Sequence, residues 1–169
     1  MASDIRSDAV VAACAVAVER ALAALPEGAC EVATDVVQPR PKRGARARSQ
    51  PMLELSVTPA RGDAAAILIL LSPGWAAVLV GSGEPRARVE LGSGFGGFVD
   101  ATRLEAIVAA IVAGRVEDVV VTSRDGRTLR RTTAVELADG TRIGERAARP
   151  RLGLRLGRRR ERLAYRPYA

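Results

Sequence analysis

Between Met52 and Leu91 the chain is dominated by short apolar segments separated by turns, a pattern that commits this stretch to strands. Leu53, Leu55 and Val57 alternate with Glu54, Ser56 and Thr58, so one side of an extended strand is apolar and the other faces solvent. Ala65 to Leu71 is apolar throughout and predicts a central strand covered on both faces. Ser72-Pro73-Gly74 then turns it onto an antiparallel neighbour, Trp75 to Val80. Ala87, Val89 and Leu91 alternate again with Arg86, Arg88 and Glu90, which completes a meander of four strands. The apolar run Ala64 to Val80 approaches membrane-spanning length, but the Ser-Pro-Gly turn cuts it near its middle, and no membrane association is expected.

Helical periodicity appears on either side of the meander. Val11, Cys14, Val18, Leu22 and Leu25 recur at steps of three and four between Ser7 and Leu25, and Pro26 and Gly28 stop that helix. Asp100 caps a second helix in which Leu104, Ile107, Val108, Ile111 and Val112 share a face, and Gly114 ends it. Cys30, Val32, Thr34 and Val36 alternate with Glu31, Ala33 and Asp35 as a half-buried strand. Glu117 to Ser123 and Thr128 to Leu137 form a hairpin about Asp125-Gly126, and Asp139-Gly140 turns the chain into its last segment. The fold class expected is α+β, an antiparallel sheet with both helices packed on one face. With aromatics at only 3%, its core must be built from Ala, Val, Leu and Ile.

Charge is distributed very unevenly along the 169 residues. Ten arginines lie between Arg142 and the C-terminus against Glu145 and Glu161, and Arg40, Lys42, Arg43, Arg46 and Arg48 form a second basic run. These segments carry +8 and +5 while the whole chain totals +7, which leaves the remainder net −6. The expected organisation is one domain over 1–140, with a basic linker at 38–51 that is mobile or orders only on a partner, and an arginine-rich tail over 141–169. Within the tail, Leu152, Leu154 and Leu156 alternate with Gly153, Arg155 and Gly157, a period that suits an added edge strand in this sheet or in a partner's.

The absence of histidine removes the commonest general acid-base residue, histidine triads and histidine metal ligands. Cys14 and Cys30 lack zinc-site companions and are expected as buried thiols of a reducing cytoplasm. Val11-Ala12-Ala13-Cys14 has the shape of a lipoprotein cleavage box, but Asp4 and Asp8 precede it in place of an apolar stretch, so no signal sequence is expected. Gly92, Gly94 and Gly97 match a dinucleotide fingerprint, with Glu117 and Asp118 about twenty residues on. Against that reading, the loop follows an antiparallel meander, and the cap at Asp100 puts a carboxylate where a pyrophosphate would bind. No catalytic residue, metal or cofactor is expected.

The order of helix, antiparallel strands, helix and hairpin over residues 7 to 140 resembles small bacterial chaperones of secreted effectors, and immunity proteins that accompany polymorphic toxins. That resemblance implies a non-enzymatic cytoplasmic protein that binds another protein, with the sheet face or an edge strand supplying apolar contact and the basic segments steering it toward an acidic partner. The residues expected to do so are Arg151, Leu152, Leu154, Arg155, Leu156, Arg158, Arg159 and Arg160 of the tail, with Phe95 and Phe98 of the glycine loop as apolar anchors. The alternative is a nucleic-acid-associated protein whose two arginine-rich segments bind phosphates. A third reading is a nucleotide-binding enzyme that uses the glycine loop at 92–97.

Overall fold

Asp8 starts the first helix, its Oδ1 accepting hydrogen bonds from the N–H groups of Val10 at 3.0 Å and Val11 at 3.1 Å. In this computed structural model, which describes residues 5–38, 50–81, 87–91, 99–126, 128–147 and 159–169, a 3-10 turn at Ile5–Ser7 leads into α1 (Ala9–Ala23). Val11, Cys14, Ala17 and Val18 are buried, while Leu22 and Leu25 at the far end of the stripe are only half-buried. Among the described residues, no helix is long and apolar enough to cross a membrane.

The five strands that follow are β1 (Cys30–Val37), β2 (Met52–Pro59), β3 (Ile67–Ser72), β4 (Trp75–Val80) and β5 (Ala87–Leu91). They pair in chain order, every neighbour antiparallel, so the meander is extended by β1 at one edge. Leu53, Leu55, Val57, Ile67, Ile69, Leu71, Ala76, Val78 and Val80 form its buried face and share one core with both helices. Two expectations about coverage are corrected. β3 is not covered equally on both sides: Ile67, Ile69 and Leu71 are buried but Leu68 and Leu70 only half-buried, because both helices lie on the same face. β1 is not half-buried either, since Val32 and Val36 are 47% and 38% exposed on this edge strand of the sheet.

Asp100 caps α2 (Ala101–Val112) as expected, its Oδ1 accepting from the Thr102 N–H at 2.9 Å. Leu104, Ile107, Val108 and Ile111 are fully buried. Beyond α2 the strands divide from the first sheet and build a second one. β6 (Val116–Thr122), β7 (Thr128–Glu136), β8 (Arg142–Ala147) and β9 (Arg159–Ala164) are ordered β8-β7-β6-β9, again all antiparallel. The α+β class stands, with two antiparallel sheets where the pattern predicts one. The described part of the arginine-rich segment therefore contributes both edge strands of the second sheet. The edge strand expected at Leu152 to Leu156 lies outside the described residues, and the one observed is β9.

After β9 the chain closes over the junction between the sheets. The N–H groups of Tyr165, Arg166 and Tyr168 donate to the carbonyls of Val116 at 3.3 Å, Asp63 at 3.0 Å and Val112 at 3.0 Å. Arg166 also forms an isolated parallel bridge with Ala64. Tyr168 is 2% exposed and its hydroxyl donates to the Ala65 carbonyl. Gly114 is what permits this close approach. At its φ of +72° a side chain is strained, and a Cβ there would lie 2.6 Å from the Pro167 nitrogen.

Candidate partner-binding surface

Alternation along β6 sends Val116 and Asp118 inward and leaves Glu117, Val119 and Val121 on the opposite face of the second sheet. The register sets Arg162 opposite Val119 and Arg160 opposite Val121 on β9, and Thr132 opposite Val119 on β7. Val119, Val121, Thr132 and Arg160 line an open depression of about 310 Å³. A second depression of about 270 Å³, lined by Gly114, Arg115, Glu117, Ala134, Glu136 and Arg142 among others, continues the same face. The backbone register further brings Arg130 opposite Val121 and Arg146 opposite Thr132.

Glu117 organises the arginines around it. Its Oε2 accepts from an Arg142 guanidinium nitrogen at 2.8 Å and its Oε1 lies 3.5 Å from Arg162 Nε, while Arg142 also lies 4.0 Å from Glu136. Exposed pairs of this kind contribute at most about 1 kcal/mol each to stability, so their main effect is to hold guanidinium groups at fixed places on the sheet. Arg160 has no ion-pair partner among the described residues. It stands exposed beside two valines, a charge free to meet an anionic group.

Beneath this face lies a polar group that the strand pattern underrates. Asp118 is fully buried and occupies an inward position between Val116 and Val120, where periodicity predicts an apolar side chain. Its Oδ1 accepts from the Thr133 hydroxyl and its Oδ2 from the Tyr165 hydroxyl at 2.8 Å. A buried carboxylate is tolerated only when donors surround it, and here the donors tie β6 to β7 and to the residue that follows β9. Replacing Tyr165 with Phe is expected to cost about 1–3 kcal/mol by removing one of these donors, read as a lower urea midpoint with an unchanged slope. Thr133→Val should give a loss of the same order. The one advance signal of this network is a polar residue in the apolar phase of a strand.

Of the residues expected to bind a partner, Arg159 and Arg160 lie on β9. Arg151, Leu152, Leu154, Arg155, Leu156, Arg158, Phe95 and Phe98 lie outside the described residues. Sequence reasoning missed the outward residues of β6 and the positions of Arg142 and Arg162, because only strand pairing brings them together. The two carboxylates weighed for a nucleotide site have other partners: Glu117 is ion-paired and Asp118 buried. The strand before the glycine loop runs antiparallel to its neighbour, unlike the parallel strands of a dinucleotide fold.

The cysteines are both free thiols. Burial first, then the charges of Asp100 and Asp8, pushes the Cys14 thiol above its ordinary pKa, which keeps it protonated and unreactive. Cys30 is half-buried, a departure from the two buried thiols expected. It lines a groove of about 400 Å³ between the end of α1 and β1, with Val18, Leu22, Leu25, Val32 and Leu55. Among the described residues no cluster of three or more Cys, Asp or Glu side chains could hold a metal ion. No protein-family model, curated protein or solved structure matches the chain.

Proposed function

We propose that the chain is a non-enzymatic cytoplasmic protein-binding module that receives an acidic protein on the outer face of its second sheet. The observation that supports this most is the placement of Arg160, unpaired among the described residues, beside the half-buried Val119 and Val121, with Arg162 on the same face of β9 and Arg142 paired to Glu117 farther along the sheet. Guanidinium groups around a small apolar patch suit a partner that offers carboxylates around an apolar contact, and they steer its approach. The charged residues of β9 discourage simple strand addition at that edge, so the face of the sheet is the better surface. In the manner of the immunity proteins and effector chaperones whose element order it resembles, the module would act by occupying its partner.

Nucleic acid is the alternative, since phosphates would meet the same arginines. The two tyrosines of the arginine-rich segment favour protein. Single-stranded nucleic acid is held by exposed aromatic platforms, whereas Tyr168 is buried and Tyr165 donates its hydroxyl to Asp118 from a half-buried position.

The test uses the full chain as bait in lysate of its own host, with and without nuclease, and then titrates the purified partner. An acidic protein retained after nuclease treatment, whose affinity falls about tenfold on Arg160→Glu and weakens with salt, is the expected result. The side chain of Arg160 is exposed and has no ion pair among the described residues, so this substitution should leave the thermal melt unchanged. Recovery of nuclease-sensitive RNA or DNA, with no protein left after digestion, would move nucleic acid to first place.

A further inference from the structure

β1 is the outermost strand of the first sheet, and β2 is its single hydrogen-bonded neighbour among the described residues. Just before it, the Ala60 N–H donates to the Ala29 carbonyl at 3.0 Å, one residue beyond the registered pair Cys30 and Pro59. That bond sets Ala29 and Ala60 at a bonded position of the ladder, with the Ala29 N–H itself donating to the Pro26 carbonyl at 3.1 Å. Bonded and non-bonded pairs alternate along an antiparallel ladder, so Glu31, Ala33, Asp35 and Val37 turn their N–H and C=O groups toward β2. Those of Cys30, Val32, Thr34 and Val36 point away from the sheet. Pro59, which has no N–H, accordingly falls at a non-bonded position. The outward N–H of Val36 is taken locally, by Asp35 Oδ1 at 2.7 Å.

This edge also carries two of the large exposed apolar side chains of the described structure. Val32 and Val36 are opposite Val57 and Leu53 in the register, on the helix side of the sheet, yet stand 47% and 38% exposed. Val32 continues the apolar wall of the groove lined by Leu22 and Leu25. An edge with outward backbone groups and bare valines is a template for another strand.

We propose that a second copy of this chain provides that strand, with β1 pairing antiparallel to β1 of the second copy about a two-fold axis at Thr34. The two five-stranded sheets would then join as one, with an isologous interface. The choice of register follows from charge and side-chain face. With the axis at Thr34, Thr34 meets its own copy, Val32 meets Val36 of the second copy, Asp35 meets Ala33 and Glu31 meets Val37. All the outward groups in the paired stretch then meet as bonded pairs, and the exposed valines cover one another in two cross-strand pairs. No carboxylate faces another. Moving the axis to Ala33 would set Glu31 against Asp35 of the second copy, and moving it to Asp35 would set that carboxylate against itself, both unfavourable cross-strand pairs. On pairing, the Val36 N–H exchanges Asp35 Oδ1 for the Val32 carbonyl of the second copy.

Sedimentation of the full chain over a dilution series tests this. A dimer is expected, and Val32→Lys combined with Val36→Lys should weaken it by at least about tenfold. At concentrations low enough for the wild type to be monomeric the circular-dichroism melt should match that of the wild type, because both side chains are exposed and their outward backbone groups make no bond to β2. The register is tested separately in a Cys30→Ser background. Thr34→Cys should give a disulfide-linked dimer on mild oxidation, since Cα atoms of a bonded pair lie about 5.5 Å apart, within disulfide reach. Glu31→Cys, far from its own counterpart across the axis, should not. A monomer at every soluble concentration would overturn the proposal, as would a dimer indifferent to the valine substitutions. Cross-linking through Glu31→Cys as readily as through Thr34→Cys would overturn the register.

Discussion

Ile107→Asp is expected to unfold the protein. Ile107 lies in the middle of the α2 stripe and is fully buried among the side chains that join the helices to the first sheet. A carboxylate there would lose its hydration with no donor placed to receive it, a cost on the order of several kcal/mol, which rivals the whole stability of a domain this size. The expected measurement is loss of the cooperative thermal transition and of dispersed amide resonances at neutral pH. A melt close to that of the wild type would show that this face of α2 does not meet the core. Asp118 is the contrasting case. That carboxylate is equally buried, but the hydroxyls of Thr133 and Tyr165 are already placed to donate to it.

Tyr168→Ala should have the second-largest effect, about 3–5 kcal/mol, the usual loss when a buried aromatic ring is cut back to a methyl group. The ring is nearly inaccessible although only Ala169 follows it in the sequence, and its loss opens the junction where the C-terminal segment meets Val112 and Ala65. Limited proteolysis should then remove the segment after Ala164 much faster than in the wild type. The same site predicts an alkaline limit to stability. Burial first, and the nearby Cys30 charge second, raises the phenol above its ordinary pKa of 10.0. A raised folded-state value means the unfolded chain loses this proton first, so the contribution is complete below about pH 10 and declines as pH rises above it, by at most about 1.4 kcal/mol per pH unit. Urea midpoints measured upward from pH 9 should fall more steeply for the wild type than for Tyr168→Phe. Equal slopes would show that the phenol of Tyr168 does not carry the decline.

Much of the local structure was legible in advance, and for a short-range reason in each case. Asp8 and Asp100 cap helices by bonding N–H groups two or three residues away. Gly74 and Gly126 adopt positive φ at the turns their neighbours announce. The period-two alternation of Leu53, Leu55 and Val57 appears as alternating burial along β2. Coverage was less legible, because alternation marks a strand's apolar side without saying whether anything lies against it. Val32 and Val57 illustrate this: they are opposite one another in the register, on the same face, yet one is exposed and the other fully buried.

The candidate binding face was legible only in its ingredients. An excess of arginine near the C-terminus was evident, but the pairing of β9 with β6 decides that Arg160 and Arg162 border Val121 and Val119. By itself, then, the sequence determined the helices, the turns, most of the strand positions and the uneven charge, since each depends on residues within about one turn or one strand length. Only the tertiary structure decided that the strands form two sheets, that β1 has β2 as its one neighbour among the described residues, that Asp118 is a satisfied buried carboxylate and that Tyr168 is part of the core. Those outcomes rest on contacts such as Tyr168 with Ala65, 103 residues apart in the chain, and no local pattern records which distant surface a segment will meet.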